Sequence, residues 1–122
     1  MSDVVDLAAK LATFDETWSP RVVAELNGQL VKVAKLEGVF DWHSHADEDE
    51  LFWVLRGRLR LELRDRAVEL APGQLFVVPR GVEHRPVADE LCEIVLFEPA
   101  ATRNTGDVDS ERTIEASDLP RI

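Results

Sequence analysis

Short segments in which apolar and polar residues alternate, separated by turn residues, run through most of this 122-residue sequence. The clearest is RLRLELR at residues 58–64, where alternation places three leucines on one face and charged side chains on the other, as in a half-buried strand. Asn27-Gly28 joins two further strand-like segments and supplies the two left-handed residues of a tight hairpin turn. We count eight or nine short strands, the last at Leu91–Phe97, with connections too short for crossover helices. The pattern predicts one all-β domain, an antiparallel sandwich or barrel.

The two ends of the chain lack this alternation. From Asp3 to Phe14 the apolar residues recur at intervals of three and four, which predicts a short helix, capped by Ser2 or Asp3, that packs outside the barrel. The polar segment after residue 99 has no sustained period, and we expect it to lie on the surface or to reach a partner. The predicted divisions are an N-terminal helix and arm (1–20), a β-barrel (21–99) and a polar C-terminal tail (100–122).

Acidic residues outnumber basic ones, with 24 Asp and Glu against 14 Lys and Arg, for a net charge of -10. Because nucleic acids and anionic membrane surfaces are bound by concentrated Lys and Arg, neither is an expected partner. No apolar run approaches the roughly 20 residues of a membrane-spanning helix, and no charged-then-apolar leader opens the sequence. The single cysteine, Cys92, excludes an internal disulfide, and its apolar neighbours predict a small buried hydrophobe. We therefore expect a cytoplasmic protein.

All three histidines fall in two short segments, at His43, His45 and His84. In a strand, His43 and His45 would point to the same side and could chelate one ion. Glu50 begins the next strand after an acidic turn, and a connection of this length allows it to return beside the pair. Three imidazoles and one carboxylate suit a first-row divalent ion and, with six-fold coordination, leave two positions open for substrate or oxygen.

Two spaced motifs contain these residues. The first reads GVFDWHSHADEDELFWVLRG from Gly38 to Gly57, and the second reads GQLFVVPRGVEHRPVA from Gly73 to Ala88. Their spacing of glycine, histidine, glutamate and proline resembles the two motifs of the cupin family. The sequence departs from that pattern twice: four rather than five residues separate Gly38 from His43, and Ala88 occupies the position of a closing asparagine. Neither departure removes a ligand.

The resemblance to the cupins implies a single-domain antiparallel jelly-roll β-barrel that binds one divalent transition metal, namely Fe, Mn, Ni, Zn or Cu. The metal ligands that it implies are His43, His45, Glu50 and His84. Either Glu48 or Asp49 could replace Glu50, although the spacing to Gly57 favours Glu50. For zinc, the expected distances from the ion to nitrogen or oxygen are about 2.0–2.2 Å.

The chain has no tyrosine, and every histidine belongs to the implied ligand set, so the usual general acids and bases are missing. This favours metal-centred chemistry, and the resemblance to the cupins then suggests a metal-dependent oxygenase, isomerase or cyclase that acts on a small organic molecule. The first alternative is a non-catalytic module that binds or senses a small molecule through its metal, because one fold hosts many chemistries. The second is a metal-free sugar or sugar-phosphate isomerase or epimerase, which the complete ligand set disfavours.

Three further residues are candidates for the pocket. Phe52 has the same strand parity as Glu50, which predicts that its ring lines the site. Arg80 and Arg85 flank the second motif and could hold a substrate carboxylate bidentately. We also predict a homodimer, because an exposed sheet edge with polar arms at residues 1–27 and 100–122 is readily covered by a partner.

Overall fold

The structure, a computed structural model, describes residues 3–122. Its strands are β1 (Arg21–Leu26), β2 (Gln29–Val39), β3 (Glu50–Arg56), β4 (Leu59–Leu63), β5 (Ala67–Leu70), β6 (Leu75–Val78) and β7 (His84–Pro99). The pairings follow the order β1-β2-β7-β3-β6, and β4 pairs with β5 and β7. Every pairing between these strands is antiparallel. The predicted antiparallel all-β fold is confirmed.

Strand β7 explains why the predicted number of strands, eight or nine, is wrong. The described chain has seven strands, and the predicted Leu91–Phe97 is only the second half of the 16-residue β7. This strand pairs with β2, β3 and β4, so it runs through the centre of the structure. The register between β2 and β7 shifts between Leu36 and Gly38, where the exposed residues 89–91 of β7 bulge outward without ending the strand.

The hairpin between β1 and β2 forms where the sequence predicts it. Asn27 and Gly28 both adopt left-handed backbone angles, with φ of 50° and 77°. Such a turn matches the twist of the two strands that it joins. It fixes the register of β2, so that Leu30, Lys32, Ala34 and Leu36 share one face.

The main core fills the inside of the barrel, where inward-facing residues of several strands meet. Val54, Leu59, Leu61 and Ile94 are fully buried there. Burying a side chain of this size stabilises a fold by roughly 1.5–3 kcal/mol. The core therefore forms a rigid support for any site built on the same strands.

The N-terminal helix, α1 (Leu7–Leu11), is shorter than predicted. Asp6 caps it, because its side-chain Oδ1 accepts the Ala9 N–H at 3.0 Å; Asp3 is therefore not the cap, and Ser2 lies outside the described residues. Val4 is 97% exposed and takes no part in the expected apolar stripe. Leu11 joins a second apolar cluster on the outer face of the sheet, as expected of a helix outside the barrel. Within residues 3–122, no helix is both long and apolar enough to cross a bilayer.

Residues 100–122 pack back onto the barrel of their own chain. Thr102 and Thr105 are fully buried, and a short 3-10 turn forms at Ala116–Asp118. The end of the segment pairs with β1: the Val22 N–H donates to the Pro120 carbonyl at 2.8 Å, and the Ile122 N–H donates to the Val22 carbonyl at 3.0 Å. The segment therefore covers one end of the barrel instead of extending away from it.

Candidate metal centre

Two backbone hydrogen bonds bring His43 and His84 together. The His43 N–H donates to the His84 carbonyl at 3.1 Å, and the His84 N–H donates to the His43 carbonyl at 2.9 Å. Residues 40–49 are otherwise irregular, so the regular strand expected through His43 and His45 is wrong. This isolated bridge, and not a continuous strand, sets the position of His43.

Each of these two imidazoles is also oriented through its Nδ1 atom. His43 Nδ1 lies 2.8 Å from the Asp41 carbonyl oxygen, and His84 Nδ1 lies 3.0 Å from the Val82 carbonyl oxygen. A carbonyl oxygen can only accept, so Nδ1 carries the proton in both rings. The Nε2 atom then keeps the lone pair with which a neutral histidine binds a metal ion.

His45 and Glu50 complete the group. The His45 carbonyl accepts the Gly81 N–H at 2.7 Å, which ties the first motif to the second. Glu50 is the first residue of β3, where it pairs with Val78 and points into the barrel. Its Oε1 atom lies 3.2 Å from His84 Nε2 and 3.3 Å from His45 Nε2.

The four donor side chains converge on one point inside the barrel. One ligand atom from each of His43, His45, Glu50 and His84 lies within 4.8 Å of the others, and all four residues are buried. Within the described chain, His45 Nδ1 has no hydrogen-bond partner and His45 Nε2 has only its 3.3 Å contact with Glu50 Oε1, so this ring has a nitrogen free to bind a metal ion. The cluster could therefore hold a metal. Glu50 supplies its carboxylate, and Asp49 instead accepts the Arg80 backbone N–H at 2.8 Å.

The protonation states of His43 and Glu50 also suit a metal. Burial and the neighbouring His84 lower the pKa of His43 to about 4, so its imidazole is neutral at pH 7. Burial acts to lower the pKa of His45 too, but the Glu50 carboxylate outweighs it and raises that pKa. Burial acts to raise the pKa of Glu50, yet the polar groups of Glu98 and the two nearest histidines hold it well below its usual range. The ionised Glu50 carboxylate beside the neutral His43 imidazole is the combination that binds a divalent ion, whereas the raised pKa of His45 means that its ring must release any second proton when a metal binds.

A narrow cavity lies beside the cluster, and His43 and Glu50 form part of its wall. Phe52, nominated by its parity with Glu50, also lines it, with its ring centroid 6.1 Å from that of His84. The other apolar wall residues are Trp18, Pro20, Ala34, Leu36, Phe40, Pro86, Ile94, Leu96 and Leu119. Lys32, Glu98 and Asn104 are the remaining polar residues of the wall.

The C-terminal segment contacts the histidine pair directly. Asp107 and Ser44 exchange two hydrogen bonds: the Ser44 N–H donates to Asp107 Oδ1 at 2.9 Å, and the Asp107 N–H donates to the Ser44 carbonyl at 3.0 Å. Arg112 donates to the Val39 carbonyl at 2.7 Å. Because Ser44 lies between His43 and His45, these bonds hold the ligand-bearing segment in place.

Arg80 and Arg85 lie outside the cavity. Arg80 is exposed and pairs with Asp49 at 3.5 Å. Arg85 pairs with Glu62 at 2.6 Å and lies over the ring of Trp42. Neither guanidinium therefore reaches the site in this structure.

The arrangement of the ligands and the barrel agrees with a known family. The sequence profile of the cupin domain matches residues 29–97 of this chain. The chain belongs to the cupin family. The match includes both motifs and all four clustered side chains, and the predicted membership is confirmed.

Proteins similar to this cupin occur in several bacteria. The uncharacterized protein YdbB of Bacillus subtilis is 34% identical over 86 residues, which are 70% of this chain and 76% of YdbB. A crystal structure of a cupin-2 domain containing protein from Shewanella frigidimarina is 46% identical, with a TM-score of 0.78 over 79% of this chain and 94% of that one. Protein NMB1881 from Neisseria meningitidis is 28% identical, with a TM-score of 0.74 over 80% of this chain and 99% of that one.

Two charged residues of the cavity, Lys32 and Glu98, are not among the site residues predicted from the sequence. The alternation of residues in β2 could nevertheless have identified Lys32. It shares its parity in β2 with Leu30, Ala34 and Leu36, all buried, and therefore faces inward. A charged residue at an inward-facing strand position is rare unless it is paired, so such a residue is a candidate for a functional site.

Proposed function

We propose that this cupin binds one divalent transition metal ion and uses it as an enzyme acting on a small organic molecule. The observation that carries the proposal is the convergence of four buried donor side chains beside a mostly apolar cavity. An ion held by His43, His45, Glu50 and His84 would supply a Lewis acid for an oxygenase, isomerase or cyclase reaction. The absence of tyrosine and of any further histidine leaves few other groups for such chemistry.

The aromatic residues of the wall would orient the substrate. The rings of Trp18 and Phe40 stack with centroids 4.8 Å apart, and the Phe40 ring meets His43 edge-on at 5.5 Å. Phe52 lies on the side of His84. Apolar rings on two sides of the metal-ligating side chains exclude water, which strengthens polar interactions at the cluster. The same rings favour a substrate with an apolar body.

The test is a measurement of metal and turnover on the same preparation. Elemental analysis of the purified protein should find one transition metal ion per chain. A panel of small enols, thiols and sugars is then offered with and without dioxygen, and products are followed by mass spectrometry. We expect turnover that a chelator removes and the metal restores. A metal-free protein that turns over the same substrate would contradict the proposal, and a loaded protein that binds panel members without converting any would favour the binding module.

We also propose that the chain forms a homodimer through the edge strand β6. In the described chain β6 pairs only with β3, which leaves its other edge unpaired. Trp53 on β3 and Leu75 and Val77 on β6 are exposed on the same outward face. A two-fold contact would pair the edge with its own copy and cover these side chains. The contacts of residues 100–122 are made within the chain, so this face replaces the tail as the expected interface.

Sedimentation velocity tests this interface. We expect a dimer at micromolar concentration and a monomer after Leu75→Asp, because a charge in an apolar interface must be desolvated. Val39→Asp is the matched control: Val39 is a similarly exposed apolar residue on β2, and this variant should remain a dimer. A monomeric wild type, or a dimer that persists in Leu75→Asp, would refute this interface.

The lone cysteine favours a reducing compartment, and a cytoplasmic location is part of the same proposal. Cys92 is buried and free. Burial, with a contribution from Glu93, raises the pKa of its thiol to about 11, so the thiol stays protonated and unreactive at pH 7. Cys92 is therefore a packing residue and not a nucleophile.

A further inference from the structure

Lys32 stands in the interior of the barrel, where a lysine is unusual. Its side chain is 2% exposed, and it lines the same cavity as the metal ligands His43 and Glu50. Lys32 is opposite Leu96 in the register between β2 and β7, which places it diagonally from Glu98. The sheet order β2-β7-β3 then brings Lys32, Glu98 and Glu50 onto adjacent strands at one end of the cavity.

Lys32 and Glu98 form a buried ion pair that is only partly satisfied. Lys32 Nζ lies 2.7 Å from Glu98 Oε1, and this is its single hydrogen bond to the described chain, although an ammonium has three donors. Glu98 Oε2 is buried with no hydrogen-bond partner in the same part of the chain. Both side chains therefore have polar groups available inside the cavity.

A buried ion pair of this kind is a poor way to stabilise a barrel. Desolvation of two charges commonly costs as much as their attraction returns, and apolar residues of similar volume are often as stable or more so. The inward-facing neighbours of Lys32 in β2 are apolar, so an apolar side chain would suit this position as well. A role in ligand binding accounts for the pair better than stability does.

Charge balance in the cavity indicates what that ligand is. A divalent ion and the Lys32 ammonium would bring three positive charges, whereas Glu50 and Glu98 supply at most two negative charges, because burial and the adjacent Glu50 carboxylate raise the pKa of Glu98 well above its usual range. At least one positive charge would therefore remain in a buried space, and an anionic oxygen group on the ligand would offset it. The available ammonium donors of Lys32 are suited to a strong, charge-assisted hydrogen bond with such a group.

We infer that Lys32, held in place by Glu98, is the residue that binds the anionic oxygen of the substrate, a small anionic molecule such as a carboxylate with an apolar body. The inference rests on the proposed metal-dependent function and names its substrate class. The apolar wall beside Phe52 would receive the body of the molecule. The charged end would lie between Lys32 and the metal cluster.

Calorimetric titration with two pairs of matched probes tests this inference. Benzoate and acetate are titrated into the zinc-loaded protein, and benzamide and acetamide serve as neutral counterparts of the same shape. We expect the carboxylates to bind more tightly than the amides. In Lys32→Met the carboxylates should lose about tenfold or more in affinity, the value of one charge-assisted hydrogen bond, while the amides are unaffected.

Two further variants make the result specific. Lys32→Met/Glu98→Gln removes the ammonium and leaves no buried carboxylate without its partner; it should also lose affinity for the carboxylates, because the hydrogen bond from Lys32 is gone. Lys35→Met is the matched control, because Lys35 lies on the same strand but its Nζ donates to the Phe14 carbonyl at 2.7 Å outside the barrel. This control should bind the carboxylates as the wild type does. Circular dichroism and zinc content are measured on every variant.

The outcomes separate this inference from the proposed function. A wild type that takes up no metal overturns the proposed function, and the inference with it. A zinc-loaded wild type that prefers no carboxylate overturns the inference alone. The same holds if the folded, zinc-loaded double variant keeps the carboxylate affinity of the wild type.

Discussion

Replacing His84 by alanine is expected to lower the affinity for a divalent metal by about 100-fold or more, since even loss of a supporting residue near a metal site commonly costs 10–100-fold. His84 comes from the second motif, and no other described histidine is placed to take over its position. Glu50→Gln should weaken binding less, because glutamine keeps an oxygen of similar reach and loses only the negative charge. Glu50→Gln should nevertheless depress turnover, because that charge balances the ion. Competition titration with a chromophoric chelator measures both affinities.

Both variants should remain folded, because the main core does not depend on the cluster. Removal of the fully buried His84 ring leaves a cavity, which typically costs about 2–4 kcal/mol of unfolding free energy in a domain whose total is about 5–15 kcal/mol. Arg85→Ala is the control, because Arg85 is adjacent in sequence but pairs with Glu62 outside the cavity. Unfolding of His84→Ala in circular dichroism would show that the metal is structural. Equal loss in both metal-site variants would contradict the distinct roles assigned to imidazole and carboxylate.

A large loss of stability is expected when Gly106 is replaced by alanine, because the C-terminal segment contacts Ser44 and His43 at this residue. A Cβ atom at this position would overlap the Ser44 carbonyl oxygen and come within 3.2 Å of His43 Cδ2. Gly106 also has a left-handed φ of 56°. Backbone strain and overlap together should make Gly106→Ala less stable by about 2–4 kcal/mol. Metal affinity should fall as well, because Ser44 connects two of the ligands.

Gly28→Ala separates the cost of backbone strain from the cost of steric overlap. Gly28 has a left-handed φ of 77°, but nothing lies within 4 Å of the point that a Cβ atom would occupy. Its substitution should therefore cost only the backbone strain, about 1 kcal/mol. Urea unfolding of both metal-free variants gives the comparison. Equal stability of the two variants, with unchanged metal affinity, would show that the C-terminal segment does not support the site.

Local patterns in the sequence predicted the parts of the fold that depend on local chemistry. Asn27-Gly28 specified its turn because few residues accept two left-handed conformations in succession. The alternation in residues 58–64 specified the buried face of β4, where Leu59 and Leu61 are fully buried. The spacing of the two motifs identified His43, His45, Glu50 and His84, which the fold brings together from three separate segments.

Features set by individual hydrogen bonds and ion pairs could not be predicted from the pattern of apolar and polar residues. The helix shortened to Leu7–Leu11 because Asp6, which looks like any polar residue in the apolar periodicity, serves as its cap. The polarity of residues 100–122 suggested solvent exposure, whereas Thr102 and Thr105 are buried and donate their hydroxyls to the carbonyls of Pro99 and Val108. Arg80 and Arg85 flank a ligand in sequence, but neighbouring carboxylates hold them outside the cavity.

The central claim, that the four side chains bind one metal ion inside the barrel, is tested most directly by anomalous scattering from crystals of the zinc-loaded protein. Data collected on both sides of the zinc absorption edge locate the ion independently of any assumption about its ligands. We expect one strong peak per chain, about 2.0–2.2 Å from a nitrogen of His43, His45 and His84 and from an oxygen of Glu50. A peak at any other site, or the absence of a peak among these four residues, would contradict the claim.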